Sequence, residues 1–259
     1  MISLIAALVL TPVSYNLDGK TVNYELGLGF DGFVPVLGGN IAKVDVTVGI
    51  VVKGQSPDAD GNPKATSDVS SLKVVYNDAV LPFNEDNVRK YFPNTATFNP
   101  QGKVLKNDAP QIDLPIQLPG LDVKRFPDIT FLAVEFPPEG IEVGKAFSYT
   151  RTFGSSEVAY TATPTVINDG EVDLDLHMSQ AYNNQEDEAH NIVKDEKDAV
   201  ASVATKVDGK GAVVFDRKIG LIRSVDLAAT ADSIVTDLKT KVETTRNLKT
   251  TLRVKLKAG

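Results

Sequence analysis

Apolar and polar residues alternate with a period of two over most of the chain, the signature of strands with one buried face. The last segment shows it best. Leu248, Thr250, Leu252, Val254 and Leu256 alternate with Lys249, Thr251, Arg253, Lys255 and Lys257. A strand whose second face is cationic and wet implies an antiparallel sheet. At about 3.3 Å per residue it runs roughly 30 Å. In the preceding segment Ile234, Thr236, Leu238, Thr240, Val242 and Thr244 share a face, with Thr245-Arg246-Asn247 as the turn between the two. Val172, Leu174, Leu176 and Met178 alternate with Glu171, Asp173, Asp175 and His177, and Asn168-Asp169-Gly170 joins them to Thr165-Val166-Ile167. Asp-Gly between alternating runs favours a tight hairpin, because such turns need positive φ. By the same rule Asp208-Gly209 predicts a hairpin between Val200–Val207 and Ala212–Phe215, and Ile219-Gly220-Leu221 opens a strand reaching about Ala231. The second half thus reads as a meander of roughly six to eight strands.

In the first half Val22–Leu28, Ile41–Val52 and Ser71–Tyr76 read as strands. Two segments have helix signals. Asn84 to Tyr91 has a capping Asn84 and a stop at Pro93. Asn184–Lys197 is acidic without a sustained apolar stripe and reads as a solvated loop or short helix. Six of the fourteen prolines fall between Asn107 and Pro138. Each removes a ladder donor, so this stretch is no central strand. Ile112, Leu114, Ile116, Leu118 and Leu121 make it too apolar for a solvated linker. An ordered crossover packed on the sheet is expected, followed by a strand at Ile129–Glu135. The organisation is then an N-terminal segment 1–14, a β module 15–107, the crossover 108–138 and a meander module 139–259. Thr97–Val104 and Val214–Leu221 share the order strand, Phe, Asn or Asp, turn, strand, as a tandem pair of modules would.

Composition narrows the chemistry. The 259 residues carry a net charge of −7, the wrong sign for holding nucleic-acid phosphates. There is no Cys, which removes disulfides, zinc ribbons and thiolate nucleophiles. His occurs only at 177 and 190, so a histidine-rich metal site is excluded. Ile2 to Leu10 is an apolar run of the length of a signal-peptide core and too short to span a bilayer. It reads as a short export signal or, alternatively, as a buried first strand. No other stretch reaches transmembrane length.

The second half resembles a loosely defined group of bacterial envelope-associated β-rich proteins of unknown function, of the DUF6263 type. The resemblance rests on Pro137-Pro138-Glu139-Gly140-Ile141-Glu142-Val143-Gly144-Lys145-Ala146-Phe147, on Ala201-Ser202-Val203, on Gly209-Lys210-Gly211-Ala212-Val213-Val214-Phe215-Asp216 and on Ile219–Leu227. It covers about Phe136 to Lys257. It implies an exported β-rich fold and supplies no substrate, cofactor or catalytic residue.

Each motif with chemical potential has a plainer reading. Gly27-Leu28-Gly29-Phe30-Asp31-Gly32 matches G-x-G-x-x-G, but Pro35 and Gly38-Gly39 deny the helix that a dinucleotide site requires. A glycine-rich turn or bulge is expected. Asp58-Ala59-Asp60-Gly61-Asn62 has oxygen donors suited to calcium, yet lacks the glycine and glutamate spacing of an EF-hand. A solvated turn is expected. Glu171, Asp173, Asp175 and His177 share a strand face at about 7 Å intervals, a spacing open to acid–base chemistry or metal ligation. The plainer reading is a solvated face paired with Lys249, Arg253 and Lys255. Glu186, Asp187, Glu188, His190, Asp195, Glu196 and Asp198 form the most acidic stretch, read as an exposed loop. Seven Lys and Arg between Lys239 and Lys257 are read as intramolecular partners for acidic strands, with anionic lipid or glycan as the rival.

The expectation is an all-β protein of antiparallel meanders forming curved sheets, a half-barrel or a sandwich, with two tandem related modules as one organisation. No catalytic, cofactor-binding or metal-binding residue is assigned. The leading function is a non-enzymatic exported or envelope protein that binds an apolar ligand or a partner protein, without nucleic acid and without a transmembrane span. The rivals are a structural or adhesive module binding other chains by edge or face, and a hydrolase built on Asp173 and Asp175.

Overall fold

The computed structural model describes residues 10–34, 40–82, 94–108, 132–153, 156–193 and 195–257. Twelve antiparallel strands form a single sheet: β1 (Thr21–Val34), β2 (Asn40–Gln55), β3 (Lys64–Tyr76), β4 (Ala79–Leu81), β5 (Asn94–Phe98), β6 (Val104–Asn107), β7 (Phe147–Phe153), β8 (Ser156–Ile167), β9 (Glu171–Glu186), β10 (Ala201–Asp216), β11 (Leu221–Asp237) and β12 (Glu243–Leu256). The order is β6-β5-β3-β2-β1-β12-β11-β10-β9-β8-β7, with β4 beside β3, and the sheet does not close. One sheet excludes the sandwich and keeps the curved, open form. The second half supplies six of its strands as a meander. Both halves enter the same sheet, because the last strand pairs with the first from Tyr24↔Leu256 to Gly32↔Leu248.

Strict alternation gives the sheet two unlike faces. One carries Tyr24, Leu26, Leu28, Leu174, Met178, Val213, Val225 and Val254, all buried. The other is solvated. The buried face is covered by two connecting segments. Residues 132–141 cross it with Leu132, Val134, Phe136 and Ile141 buried, and residues 11–17 run beside them with Val13, Tyr15 and Leu17 buried. Thr11 bridges Ile141. The Tyr15 hydroxyl donates to the Val134 carbonyl at 2.9 Å, and its burial pushes the phenol pKa well up. Arg151 on β7 donates from Nε to Glu135 at 2.9 Å and from Nη2 to the Leu132 carbonyl. Tyr149, stacked on Tyr160 at 4.9 Å, donates to the Ala133 carbonyl at 2.9 Å. The described end of the crossover therefore packs on the sheet, but 132–137 forms no ladder. Side chains hold its carbonyls in place of a neighbouring strand, so the strand expected at Ile129–Glu135 is absent over the described 132–135.

The paired Phe turns meet at one residue. Tyr15 contacts Phe98 and Phe215 edge to face at 6.4 and 5.2 Å. Its N–H donates to the Pro100 carbonyl, and the Asn16 N–H donates to that of Gly220. The local likeness thus has a use, gripping the 11–17 segment from both sides.

Two turns differ from expectation. Asp208-Gly209 lies mid-strand in β10, where Asp208 pairs with Ser179 and Thr230. Gly209 is there for space: a Cβ would stand 2.8 Å from both the Ala229 methyl and the Met178 Cγ. The last hairpin turns at 238–242, not 245–247. Asp237 Oδ1 accepts the N–H of Lys239 and Thr240 at 2.9 and 2.6 Å, and Lys241 takes φ +62°. This shift returns Arg246 to a strand. The segment 184–197 ends β9, turns at 187–190 and has one 3₁₀ turn at Glu196–Asp198. The helix signals at Asn84–Tyr91, the apolar run before Leu10, residues 129–131 and most of the proline-rich stretch lie outside the described residues.

Candidate functional site

The buried face is not uniform along the strands. At the end carrying Thr21, Glu171 and Leu256 it is apolar and filled. Towards the other end the inward positions of β9 run Gln180, Tyr182, Asn184 and Glu186, and across β10 to β12 they meet Thr205, Ser233 and Arg246. Here the covering segments give way to a cavity of about 50 Å³, lined among others by Phe33, Tyr182, Asn184, His190, Thr205, Ser233 and Leu248. At roughly 10–15 Å³ per water, it takes a few waters or a small polar group.

Its charged residues are matched to one another. Arg246 donates from Nη1 to Glu186 Oε2 at 2.6 Å and from Nη2 to His190 Nδ1 at 3.2 Å. Glu186 Oε2 also lies 3.4 Å from His190 Nδ1. The guanidinium sits 4.1 Å over the Phe33 ring, and the His190 ring meets that ring edge to face at 5.3 Å. The Arg246 and Glu186 side chains are 16% and 8% exposed, so neither charge is free to face bulk water. Deeper in, Thr205 Oγ1 and Ser233 Oγ are 2.8 Å apart. Tyr182 hydrogen-bonds Thr205, and burial pushes its phenol up to about 12.

A short turn places His190. Asp187 Oδ1 accepts the N–H of Ala189 and Asn191 at 2.9 and 2.8 Å, and the bond to the Asn191 N–H holds its carboxyl below the usual range. Asp58 does the same for Asp60 and Asn62, both at 2.9 Å. The two turns read Asp-x-x-Gly61-Asn and Asp-x-x-His190-Asn. The fourth residue takes φ +82° at Gly61 and +63° at His190. A side chain in the left-handed region costs about 1 kcal/mol or more unless its surroundings hold it there. At His190 those surroundings are Phe33, Arg246 and Glu186.

The motifs singled out from sequence lie elsewhere. Gly27 and Gly29 sit in β1 opposite Arg253 and Thr251, and Gly32 takes φ +135°. The Asp58–Asn62 carboxylate is spent on its own backbone. Glu171, Asp173, Asp175 and His177 do share the solvated face. Two strands separate them from β12, however, so Lys249, Arg253 and Lys255 are not their partners. Arg223 binds Glu171 and Asp216 at 2.7 and 2.6 Å, His177 Nε2 meets Asp208 Oδ2 at 2.8 Å, and Arg253 faces Asp226 at 3.7 Å. Among the described residues no group of three or more His, Asp or Glu is arranged to hold a metal ion. Of the acidic stretch, Glu186 and His190 join the cavity and are not simply solvated. Arg246 was masked in sequence by its place in an apparent turn. The repeated Asp-x-x-[Gly/His]-Asn pattern, unused in the sequence reading, is the signal that sets His190 apart.

The chain is thus an open, single-sheet all-β protein with a polar cavity at one end of its buried face. No helix among the described residues is long and apolar enough to cross a membrane. No protein-family model matches the chain, and no curated protein matches it.

Proposed function

We propose that the chain is a non-enzymatic binding protein of the exported, envelope-associated kind, and that it holds a small amphiphile by its polar head at the Arg246 cavity. The observation that carries this reading is the change along the buried face from filled and apolar to polar and hollow. The apolar half is taken by the chain's own 11–17 and 132–141 segments, so a wholly apolar ligand finds little room there. The cavity offers hydroxyls, amides and a matched ion pair, which favour a neutral head that donates and accepts hydrogen bonds. Exposed Val200 and Val242 stand at the same end of the sheet and suit the apolar part. With Arg246 engaged by Glu186 and His190, no unpaired base or nucleophile is poised among the described residues of the cavity, which supports binding over catalysis.

The test uses 1-octanoylglycerol below its micelle concentration, with glycerol and octanoate as partial mimics. Nuclear magnetic resonance titration is expected to shift the signals of Tyr182, His190 and Arg246 most with the intact amphiphile. If millimolar probe leaves all three signals in place, the reading fails. For export, N-terminal sequencing of secreted material is expected to show a mature chain that retains Thr11 and Val13, since both belong to the covered face.

A further inference from the structure

We propose that β7 is a self-pairing edge through which two copies of this chain join antiparallel about Thr150. The two edges of the sheet are built differently. β6 has four residues, its pairing shifts register at Thr97/Phe98, and it carries the exposed Lys106 beside Asp108. Short length, irregular pairing and lysine are the usual guards against strand addition. β7 has seven residues in unbroken register from Phe147↔Ala162 to Phe153↔Ser156, with no proline and no lysine. Its single cation, Arg151, is turned onto the buried face and paired with Glu135. Among the described residues no backbone hydrogen bond reaches 147–153 from any segment but β8.

The β7 sequence, Phe-Ser-Tyr-Thr-Arg-Thr-Phe, is close to a palindrome. A two-fold axis at Thr150 sets Phe147 opposite Phe153, Ser148 opposite Thr152 and Tyr149 opposite Arg151 of the second copy. Phe153↔Ser156 is the pair at the hairpin end. Counting alternate pairs from it directs the odd residues to β8 and the backbone groups of Ser148, Thr150 and Thr152 outward. Those three residues are exposed and would form hydroxyl pairs across the axis. On the other face Tyr149 and Arg151 of each copy keep their own partners, Tyr160 and Glu135. No like charges face one another. Such an isologous contact closes at two copies. Seven residues a side make a small interface, so the dimer is concentration-dependent.

The absence of Cys makes the test clean. Directly facing residues have Cα atoms about 4.5–5.5 Å apart, within disulfide range. T150C is therefore expected to give a covalent dimer on mild oxidation. T152C is expected to give none, because its two copies stand four residues out of register, about 13 Å apart. Light scattering of the full chain over a concentration series is expected to show monomer–dimer exchange, weakened at least tenfold in T150K, with the melting temperature of T150K reporting that it is folded. A monomer up to about 1 mM, a dimer indifferent to T150K, or equal cross-linking of T150C and T152C would each overturn the proposal. Should T150K fail to fold, the two cysteine variants still decide.

Discussion

Along the buried face, the end near Phe215 and the end near Arg246 solve the same problem by opposite means. At the Phe215 end, Tyr15, Phe98, Phe136 and Phe215 interlock, and the Tyr15 hydroxyl is spent on the Val134 carbonyl. At the Arg246 end, charges and hydroxyls line a hollow and satisfy each other. The contrast extends to the turns beyond the strands. The Asp58 turn at the filled end uses glycine where backbone needs it. The Asp187 turn at the hollow end uses His190 in the same conformation and accepts the strain. A protein tuned for stability alone has no reason to make that exchange, and the difference supports the binding proposed at the hollow end.

Four substitutions and a pH series break or sharpen this contrast. Phe215→Ala empties the filled end and is expected to cost about 3–5 kcal/mol in chemical denaturation. Arg246→Ala leaves Glu186 buried without its partner and is expected to cost about 2–4 kcal/mol, with part of the loss recovered in the Arg246→Ala/Glu186→Ala double variant. A larger cost for Arg246 than for Phe215 would reverse the view of which end is the core. Tyr15→Phe deletes the bond to Val134 and is expected to cost about 1–2 kcal/mol. His190→Gly relieves the left-handed conformation while losing the Arg246 contact, so its melting curve is expected to stay within about 0.5 kcal/mol of the parent. Amphiphile binding should nevertheless fall in that variant. Undiminished binding would separate the strain from function. The pH effect is the smallest. The Asp187 carboxyl is held below its ordinary range, chiefly by the Asn191 N–H. A depressed folded-state pKa adds stability that is complete above about pH 4 and lost as pH falls through the folded value. The melting-temperature gap between the parent and Asp187→Ala is therefore expected to close between pH 4 and lower pH.

The fold class was legible because burial on one face writes itself as alternation, and Val172–Met178 and Leu248–Leu256 landed on the faces their pattern assigned. The turns were harder. Asp-Gly is ambiguous: at 169–170 it turns the chain, and at 208–209 it makes room for Ala229 and Met178. Only the neighbouring strands tell the two apart, and they are distant in sequence. The cavity was hidden for the same reason. Phe33, the Glu186–His190 stretch and Arg246 are far apart in sequence, and each alone looks like an ordinary surface feature. Of the proline-rich crossover only residues 108 and 132–138 lie within the described residues, and there Leu132, Val134 and Phe136 are buried.

The pairing of β12 with β1 has a consequence in time. During synthesis β1 emerges well before its partner, and one of its two flanks is completed only when residues 248–256 follow. Until then the sheet exists as two separate pieces with a bare seam between them. Folding of the sheet cannot be finished before β12 is present, and it then depends on contacts between strands far apart in sequence, a slow kind of closure. A chain cut before Leu248 would therefore lose not β12 alone but the bond between the two halves of the sheet.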